Sequence, residues 1–499
     1  MTLRFYDTAS AEVRDFVPLV PGKVSLYYCG ATVQGMPHVG HIRSAIAFDQ
    51  LTRWLQYRGF RVTVVRNVTD IDDKILAKSA ESFAPDFEGE PGTVREEEWW
   101  ALAYRYEQEF LKAYDTLGVS RPTYEPRATG HIPEMHALIQ QLIDRGHAYP
   151  ALDGSGDVYF DVRSWAKYGS LTRQNIEDMQ GAADADPRGK KDARDFALWK
   201  GHKEGEPTTA SWASPWGAGR PGWHLECSAM STKYLGKTFD IHGGGNDLKF
   251  PHHENEVAQS VGACDCQPAR YWLHTNMLLM NGRKMSKSDG NTISPVQLFS
   301  GDSPHVSKGY SPMVIRFFML QSHYRSTLDL TDDALQAAEK GYRRLMEAYR
   351  TAQALTPAAG ATAGALDAEI NQLIDQAFEE MSDDFNTPKA MARLFELVTR
   401  INGLKDGHLS LKEVAAETLD RLKSTFDSFI FQILGLKDEM AAGDNGTNLV
   451  DGLMEIIIDL RKDARTNKDW GTSDKIRDAL GALEVQLKDG KDGTTWVKS

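Results

Sequence analysis

The chain has 499 residues, of which 41% are hydrophobic and 25% charged, proportions typical of a globular protein in water. No stretch approaches the roughly 20 apolar residues of a membrane span, and the first residues lack the long apolar core of a signal peptide, so no membrane partner is expected. Four cysteines in so long a chain argue against a disulfide framework and for a reducing compartment, here the cytoplasm, and the net charge of −13 restricts nucleic acid binding to local basic patches.

The first predicted unit is a strand followed by a helix. Residues 24–28 are short, apolar and aromatic, as in a buried strand, and residues 42–57 carry apolar side chains at helical spacing. His38, Gly40 and His41 lie between them, at a helix start where free N–H groups and the helix dipole favour a phosphate. The motif therefore indicates a nucleotide site; the alternative is a polar loop with two ordinary histidines.

A second strand completes a parallel α/β unit. Residues 60–65 are rich in β-branched side chains and follow Gly59, which ends the helix. Strand, helix and strand in succession predict a parallel sheet, and residues 67–70 then lie at the carboxyl edge where such sheets bind ligands. A long helix is predicted at 96–117, and residues 121–204 read as an inserted module containing a helix at 132–146 and a strand at 158–162.

The later part of the chain returns to the α/β pattern and then becomes helical. Residues 239–242 predict a strand that runs into a glycine triplet, for which a plain turn is the expectation. Lys284 and Lys287 fall in a loop flanked by glycines, as in a flexible cationic loop. Residues 305–440 are mainly helical by period, and 441–449 form a linker. The end of the chain predicts helices at 453–466 and 473–480 and a strand at 485–487.

Scattered cysteine, histidine and glutamate residues raise the possibility of a metal site. Cys29 and Cys227 are single cysteines, and His252 and Glu256 are four residues apart and share a helix face. This donor set suits zinc. The spacing alone leaves the neighbours His253 and Glu254 as rival donors, and the cysteines could instead be small core residues.

The other two cysteines, Cys264 and Cys266, are expected to have no function, because their spacing is tighter than in zinc knuckles.

Taken in order, the His38–His41 motif and residues 284–288 resemble the two signatures of class I aminoacyl-tRNA synthetases. Within that class the chain is similar to the cysteinyl-tRNA synthetase family, over stretches at 29–30, 67–74, 125–129, 222–228 and 252–256. The resemblance implies an α/β Rossmann-type catalytic core with an inserted connective module, followed by an all-α helical region and a small mixed C-terminal domain. The implied boundaries are 1–120 and 205–300 for the core, 121–204 for the insertion, 301–340 for a stem-contact region, 341–440 for a helical bundle and 441–499 for an anticodon domain.

The resemblance also implies roles for individual residues. His38, Gly40 and His41 bind ATP together with Lys284 and Lys287, and the two histidines and two lysines serve catalysis. One zinc ion is held by Cys29, Cys227, His252 and Glu256 at the cysteine pocket. Thr69, Trp223 and Asp247 line the amino-acid pocket, although Trp223 could equally be a packing residue.

The implied reaction joins L-cysteine to its tRNA at the expense of ATP, with Mg²⁺ expected and the protein a monomer. Amino-acid activation needs no general base, because the attacking carboxylate is already ionised, so the protein's task is positioning and charge stabilisation. The alternatives are an ATP-dependent ligase that joins cysteine to an amino sugar, and a non-catalytic synthetase-like protein that binds RNA.

Overall fold

The computed structural model describes residues 2–89, 93–179, 189–285, 290–439, 447–481, 483, 485–490 and 493–498. These fall into two compact units, Met1–Leu436 and Lys437–Ser499. Within the described ranges, no helix combines the length and the apolar character needed to cross a bilayer.

The strands are short and distributed along the whole chain. They are β1 Arg4–Asp7, β2 Glu12–Asp15, β3 Lys23–Tyr28, β4 Arg61–Arg66, β5 Ala148–Pro150, β6 Val158–Phe160, β7 Phe196–Gly201, β8 Gly219–Pro221, β9 Phe239–Gly245, β10 Ala269–Thr275, β11 Leu278–Met280, β12 Arg283–Lys284, β13 Leu328–Leu330, β14 Val485–Gly490 and β15 Gly493–Lys498.

The helices dominate the second half of the chain. They are α1 Val39–Tyr57, α2 Asp73–Ser82, α3 Trp99–Thr116, α4 Ile132–Asp144, α5 Trp223–Leu235, α6 Glu254–Cys264, α7 Pro295–Ser300, α8 Pro312–Leu320, α9 Asp332–Ala354, α10 Ala365–Ser382, α11 Thr387–Lys405, α12 Ala416–Asp427, α13 Thr447–Thr466 and α14 Trp470–Gly481.

A parallel sheet in the order β10-β9-β3-β4 forms the centre of the first unit. Its strands are largely buried, as expected for a parallel sheet covered by helices. The predicted α/β core is confirmed, and because all four strands run the same way, their carboxyl ends meet at one edge.

Helix α1 connects β3 to β4 and begins with a side-chain cap. His38 is the N-cap residue, and Gly59, with a φ of +84°, ends the connection in the left-handed region that favours glycine. Apolar residues of α1 such as Ile42, Ile46 and Leu51 are fully or almost fully buried. Burial of this face fixes the start of the helix against the edge of the sheet.

The glycine triplet is not the turn that the sequence predicted. Gly243, Gly244 and Gly245 are the last residues of β9 and pair in register with β10. A Cβ on Gly243 would lie 2.2 Å from the Phe48 ring, and one on Gly244 would lie 2.8 Å from the His253 ring. The glycines therefore allow α1 and a histidine side chain to pack directly on the strand.

A second sheet and a run of helices accompany the parallel sheet. The second sheet is antiparallel, in the order β5-β6-β7-β8, and its last strand, Gly219–Pro221, lies beyond residue 204, where the predicted insertion ends. Helices α9 to α12 follow later in the chain.

The second unit consists of α13, α14 and the hairpin β14–β15. The sequence predicted only the first of the two strands of this hairpin.

Candidate active site and metal centre

A pocket of about 410 Å³ lies where the carboxyl ends of β3 and β9 meet the start of α1. This is the edge at which parallel α/β sheets bind ligands, because the connections leave the sheet there in opposite directions. The predicted site residues that line it are Cys29, His38, Gly40, His41, Trp223, Asp247 and Lys284.

Two backbone bonds fix the histidines at the start of α1. The Nδ1 atom of His38 accepts from the Gly40 N–H at 3.1 Å, and the Nδ1 atom of His41 accepts from the His38 N–H at 3.2 Å. The two rings are stacked with their centroids 3.7 Å apart. Since each Nδ1 is an acceptor, each neutral ring carries its proton on Nε2 and presents an N–H donor.

Gly40 is required by the close approach of the His38 ring. A Cβ at this position would lie 3.0 Å from both Cε1 and Nδ1 of His38 and 3.4 Å from the Met285 methyl group. Any side chain at position 40 would therefore displace the cap.

Of the two predicted lysines, Lys284 is among the residues that the structure describes. Lys284 lies in β12, is exposed, and lines the pocket. The side-chain amide of Asn291 donates to its carbonyl oxygen at 2.9 Å. Lys287 lies outside the described residues, so its contact with ATP stays a prediction.

The four proposed metal ligands come from distant parts of the chain and meet beside the pocket. Cys29 directly follows β3, Cys227 lies in α5, His252 precedes α6, and Glu256 lies in the first turn of α6. One donor atom from each lies within 4.8 Å of the others. Three of these residues are almost fully buried, and Cys29 faces the pocket.

The distances within this group suit a tetrahedral ion. Zinc, with bonds of about 2.3 Å to sulfur and 2.0 Å to nitrogen or oxygen, sets edges of about 3.8 Å for S–S, 3.5 Å for S–O and 3.3 Å for N–O. The observed edges are 3.8 Å from Cys29 Sγ to Cys227 Sγ, 3.9 Å from Cys29 Sγ to Glu256 Oε1, and 3.2 Å from His252 Nε2 to that oxygen. These three edges lie within about 0.4 Å of the values expected for zinc.

A second combination of donors, Cys29, His242, His253 and Glu256, also lies within the same limit. It fits less well, because His253 Nε2 is 4.0 Å from Glu256 Oε1, and His242 Nε2 lies at hydrogen-bond distance, 2.9 Å, from the other Glu256 oxygen. The remaining rival, Glu254, is occupied elsewhere, since its carboxylate accepts from the backbone N–H groups of residues 169 and 172.

Burial sets the protonation states of this group. Desolvation raises the pKa of both cysteine thiols and lowers that of His252 to about 3. The imidazole is therefore neutral, which is the form that ligates metals, while the buried thiols favour ionisation only beside a cation.

Further histidines, which sequence reasoning did not assign, orient the ligands. His242 Nε2 bonds to Glu256 Oε2, and the Nδ1 atoms of His224 and His252 lie 3.0 Å apart. Such outer partners fix the orientation of ligating side chains. A sequence signal existed for both, because His242 ends a predicted strand and His224 lies three residues before Cys227, but neither spacing shows what the side chain faces.

The predicted amino-acid pocket is only partly assembled from the predicted residues. The Trp223 ring lies 4.4 Å from the His252 ring, and Asp247 is exposed beside it in the pocket lining. Thr69 is almost fully buried and donates to Glu226 Oε2 at 3.0 Å; the pocket lining includes Thr32, which forms a β-bridge with Thr69.

Arg66 and Tyr114 are pocket residues that the sequence did not indicate. The Arg66 guanidinium stacks on the Tyr114 ring at 4.2 Å, and its Nε donates to Glu125 at 3.0 Å. Arg66 ends β4 and reaches the pocket only because β4 lies beside β3 in the sheet.

Cys264 and Cys266 are joined by a disulfide and belong to neither metal-capable group found among the described residues.

The second unit carries a pocket of its own, of about 340 Å³. Arg461, Lys462, Arg465, Trp470 and Thr494 line it, and the Trp470 side chain is 58% exposed. Cations beside an exposed aromatic ring form a surface on which an unpaired base can stack while its phosphates are neutralised.

Two family models match the chain. The one described as "tRNA synthetases class I (C) catalytic domain" covers residues 15–340, and the one described as "DALR domain" covers residues 377–437.

Curated relatives match over almost the whole chain. A protein named cysteine–tRNA ligase from Arthrobacter sp. (strain FB24) is 62% identical over 99% of both chains. One of the same name from Cutibacterium acnes (strain DSM 16379 / KPA171202) is 48% identical over 100% of this chain and 97% of its own.

Solved structures share the fold at low sequence identity. Methionyl-tRNA synthetase from Mycobacterium tuberculosis, in complex with methionyl-adenylate, is 14% identical, with a TM-score of 0.59 over 83% of this chain and 91% of its own. A putative arginyl-tRNA synthetase from Campylobacter jejuni is also 14% identical, with a TM-score of 0.57 over 85% of this chain and 94% of its own.

Proposed function

Because the chain belongs to the cysteine–tRNA ligases, a family of class I aminoacyl-tRNA synthetases, we propose that its pocket binds L-cysteine and ATP side by side. The chain activates cysteine with ATP to give cysteinyl-adenylate and pyrophosphate, and then transfers cysteine to the 3′ end of its tRNA. The observation that carries the residue assignments is the metal-ligand group beside the capped histidines of the same pocket.

We propose that Cys29, Cys227, His252 and Glu256 hold one zinc ion. The near-tetrahedral distances and the neutral His252 support this assignment. When bound, zinc would take the substrate sulfur as a fifth ligand beside its four protein donors, and such a position prefers a thiolate sulfur to a hydroxyl oxygen. Such a preference separates cysteine from serine further than an apolar pocket can, since shape alone discriminates near-isosteres only modestly.

In the activation step the cysteine carboxylate attacks the α-phosphorus of ATP. A new O–P bond forms and the bond to the pyrophosphate oxygen breaks, so negative charge grows on the leaving group. The Nε2–H groups of His38 and His41 donate to the phosphates, and the ammonium groups of Lys284 and Lys287 neutralise the developing charge. Gly40 lets the nucleotide approach the start of α1, and Mg²⁺ is expected to accompany ATP.

The amino-acid side of the pocket is assigned to Trp223 and Asp247, with Thr69 behind them. The Trp223 ring packs against His252, one of the proposed zinc ligands. The Asp247 carboxylate suits the ammonium group of the substrate. Gly245 leaves space for this carboxylate, since a Cβ on residue 245 would lie 2.3 Å from Asp247 Oδ1. Thr69 supports this side of the pocket through its hydrogen bond to Glu226.

The pocket of the second unit is the proposed binding site for the anticodon of the tRNA. Trp470 offers a face for a base, and Arg461, Lys462 and Arg465 offer cations for phosphates. The chain as a whole is acidic, so binding depends on this local cluster.

We propose the domain division that the resemblance implied: a catalytic core at 1–120 and 205–300, an insertion at 121–204, a stem-contact region at 301–340, a helical bundle at 341–440 and an anticodon domain at 441–499. We further propose that the chain acts as a monomer in the cytoplasm, where charged tRNA is used.

The two alternative functions are not favoured. Relatives matched over nearly their whole length are cysteine–tRNA ligases, and the DALR domain follows the catalytic region. The experiment that separates all three functions is cysteine-dependent ATP–pyrophosphate exchange, followed by acceptor assays with tRNA and with an amino sugar in parallel. Exchange with transfer to tRNA supports the proposal; transfer only to the sugar, or no exchange at all, would contradict it.

A further inference from the structure

A small cavity of about 20 Å³ lies between α1 and α8, apart from the catalytic pocket. Its polar lining includes Arg43 and Gln50 from α1 and the hydroxyl-bearing residues Ser322, Tyr324 and Thr387. A void needs about 10–15 Å³ to hold one particle the size of water. The cavity therefore accommodates one small particle and excludes a sulfate or phosphate ion.

Arg43 brings a positive charge to this cavity without a carboxylate to balance it. Its side chain is 4% exposed, and among the described residues no Asp or Glu forms an ion pair with it. Nη2 donates to the backbone carbonyls of His323, at 3.2 Å, and Ser326, whereas Nε and Nη1 have no protein partner. Burial lowers the pKa of Arg43 to about 10, which leaves the guanidinium charged at neutral pH.

The remaining polar groups of the cavity include a second unpartnered donor. Gln50 is 1% exposed, and neither its amide nitrogen nor its amide oxygen has a protein partner. The hydroxyl protons nearby are already donated, that of Tyr324 to Asp384 and that of Thr387 to the Leu320 carbonyl, both at 2.7 Å. The N–H groups of Arg43 Nε and Nη1 and of the Gln50 amide therefore remain as donors for a particle in the cavity.

We propose that this cavity binds one small monovalent inorganic anion of the halide class, held by Arg43 Nε and Nη1 and by the Gln50 amide. An anion accepts from the unpartnered N–H groups and also balances the Arg43 charge, whereas a water can only accept from them. Burial of an unpaired charge is strongly unfavourable, and a bound chloride removes that penalty. This site lies outside the reaction and goes beyond the proposed function.

The position of the site links two parts of the catalytic pocket. Arg43 lies on the helix that begins with the capped histidines, and it bonds to the segment 323–326 that leads into β13. Strand β13 pairs with β11, which in turn pairs with the lysine-bearing β12. An anion at Arg43 therefore stabilises the connection between the histidine helix and the lysine strand.

Diffraction from crystals of the full chain soaked in sodium bromide tests the site directly. Data collected at the bromine absorption edge should show an anomalous peak at hydrogen-bond distance from Arg43 and Gln50. Density at that position without an anomalous signal would identify water and overturn the proposal, as would bromide peaks confined to the surface.

Thermal and urea unfolding provide the second test, with sodium chloride exchanged for sodium gluconate at constant ionic strength. Chloride at ten times its dissociation constant should raise the folding equilibrium constant about tenfold, because it binds the folded state. The Arg43→Gln variant should lose this dependence. Arg4→Gln is the matched control, since Arg4 is exposed and paired with Asp383, and it should keep the full dependence.

Stability of the unaltered chain that does not change on the exchange, or an Arg43→Gln variant as chloride-dependent as the control, would contradict the proposal. If Arg43→Gln does not fold, the bromide experiment on the unaltered chain decides.

Discussion

Replacement of Cys227 by alanine tests which donors hold the metal. The substitution removes one vertex of the proposed tetrahedron, the Sγ atom 3.8 Å from Cys29 Sγ, and leaves donors from Cys29, His252 and Glu256. Loss of an outer-shell partner alone reduces metal affinity about 10–100-fold, so loss of a direct ligand should reduce it at least about 100-fold, or about 2.8 kcal/mol.

The substitution should weaken the binding of cysteine and leave that of ATP almost unchanged. The KM for cysteine in ATP–pyrophosphate exchange should rise by a similar factor. The KM for ATP should change little, because the proposed ATP donors His38 and His41 lie at the start of α1 and belong to neither metal-capable group. Discrimination against serine should fall toward the modest level of an apolar pocket, about 10–200-fold.

Each variant is dialysed at a defined concentration of free zinc, and the zinc bound per chain is then measured by elemental mass spectrometry. The kinetics of ATP–pyrophosphate exchange are measured on the same samples. Cys264→Ala serves as the matched control, because Cys264 is a cysteine outside the group and should leave zinc content and cysteine KM unchanged. His242→Ala distinguishes the rival donor set. If Cys227→Ala kept its zinc while His242→Ala lost it, the assignment of ligands would be wrong.

Three further predictions concern backbone fit and tRNA. Gly40→Ala should disturb the His38 cap, lowering stability by about 1 kcal/mol in urea unfolding and raising the ATP KM about tenfold; an unchanged ATP KM would show that the cap does not position the ring. Gly30→Ala should destabilise the protein by about 3 kcal/mol or more, because the new Cβ would lie 1.7 Å from the Asn67 carbonyl oxygen, and wild-type-like unfolding would refute that close approach. Trp470→Ala should weaken tRNA binding by about 1–3 kcal/mol in a filter-binding assay while leaving tRNA-independent exchange unchanged; unaltered binding would exclude base stacking at this residue.

Local features of the active site could be predicted from the sequence because they depend on short stretches of backbone. The His38–His41 motif follows a buried strand and precedes an apolar period of 3.6, and these two patterns by themselves place it at a helix start. The same holds for Gly59 and for the strand–helix–strand unit that sets the sheet edge. The glycine triplet was mistaken for a turn because the sequence does not show that Phe48 and His253 pack against it.

For the metal centre, the sequence identified the donor residues and the tertiary structure brought them together. The sequence determined that Cys29, Cys227, His252 and Glu256 were available as donors, and a spacing of four placed the last two on one helix face. Only the tertiary structure decided that the donor atoms meet, and only it showed that His242 and His253 also lie within reach of Glu256. Strand register and the rotation of each helix about its axis set the direction of each side chain. If a strand or helix is shifted by one residue, its donor side chain points elsewhere and no longer reaches the ion.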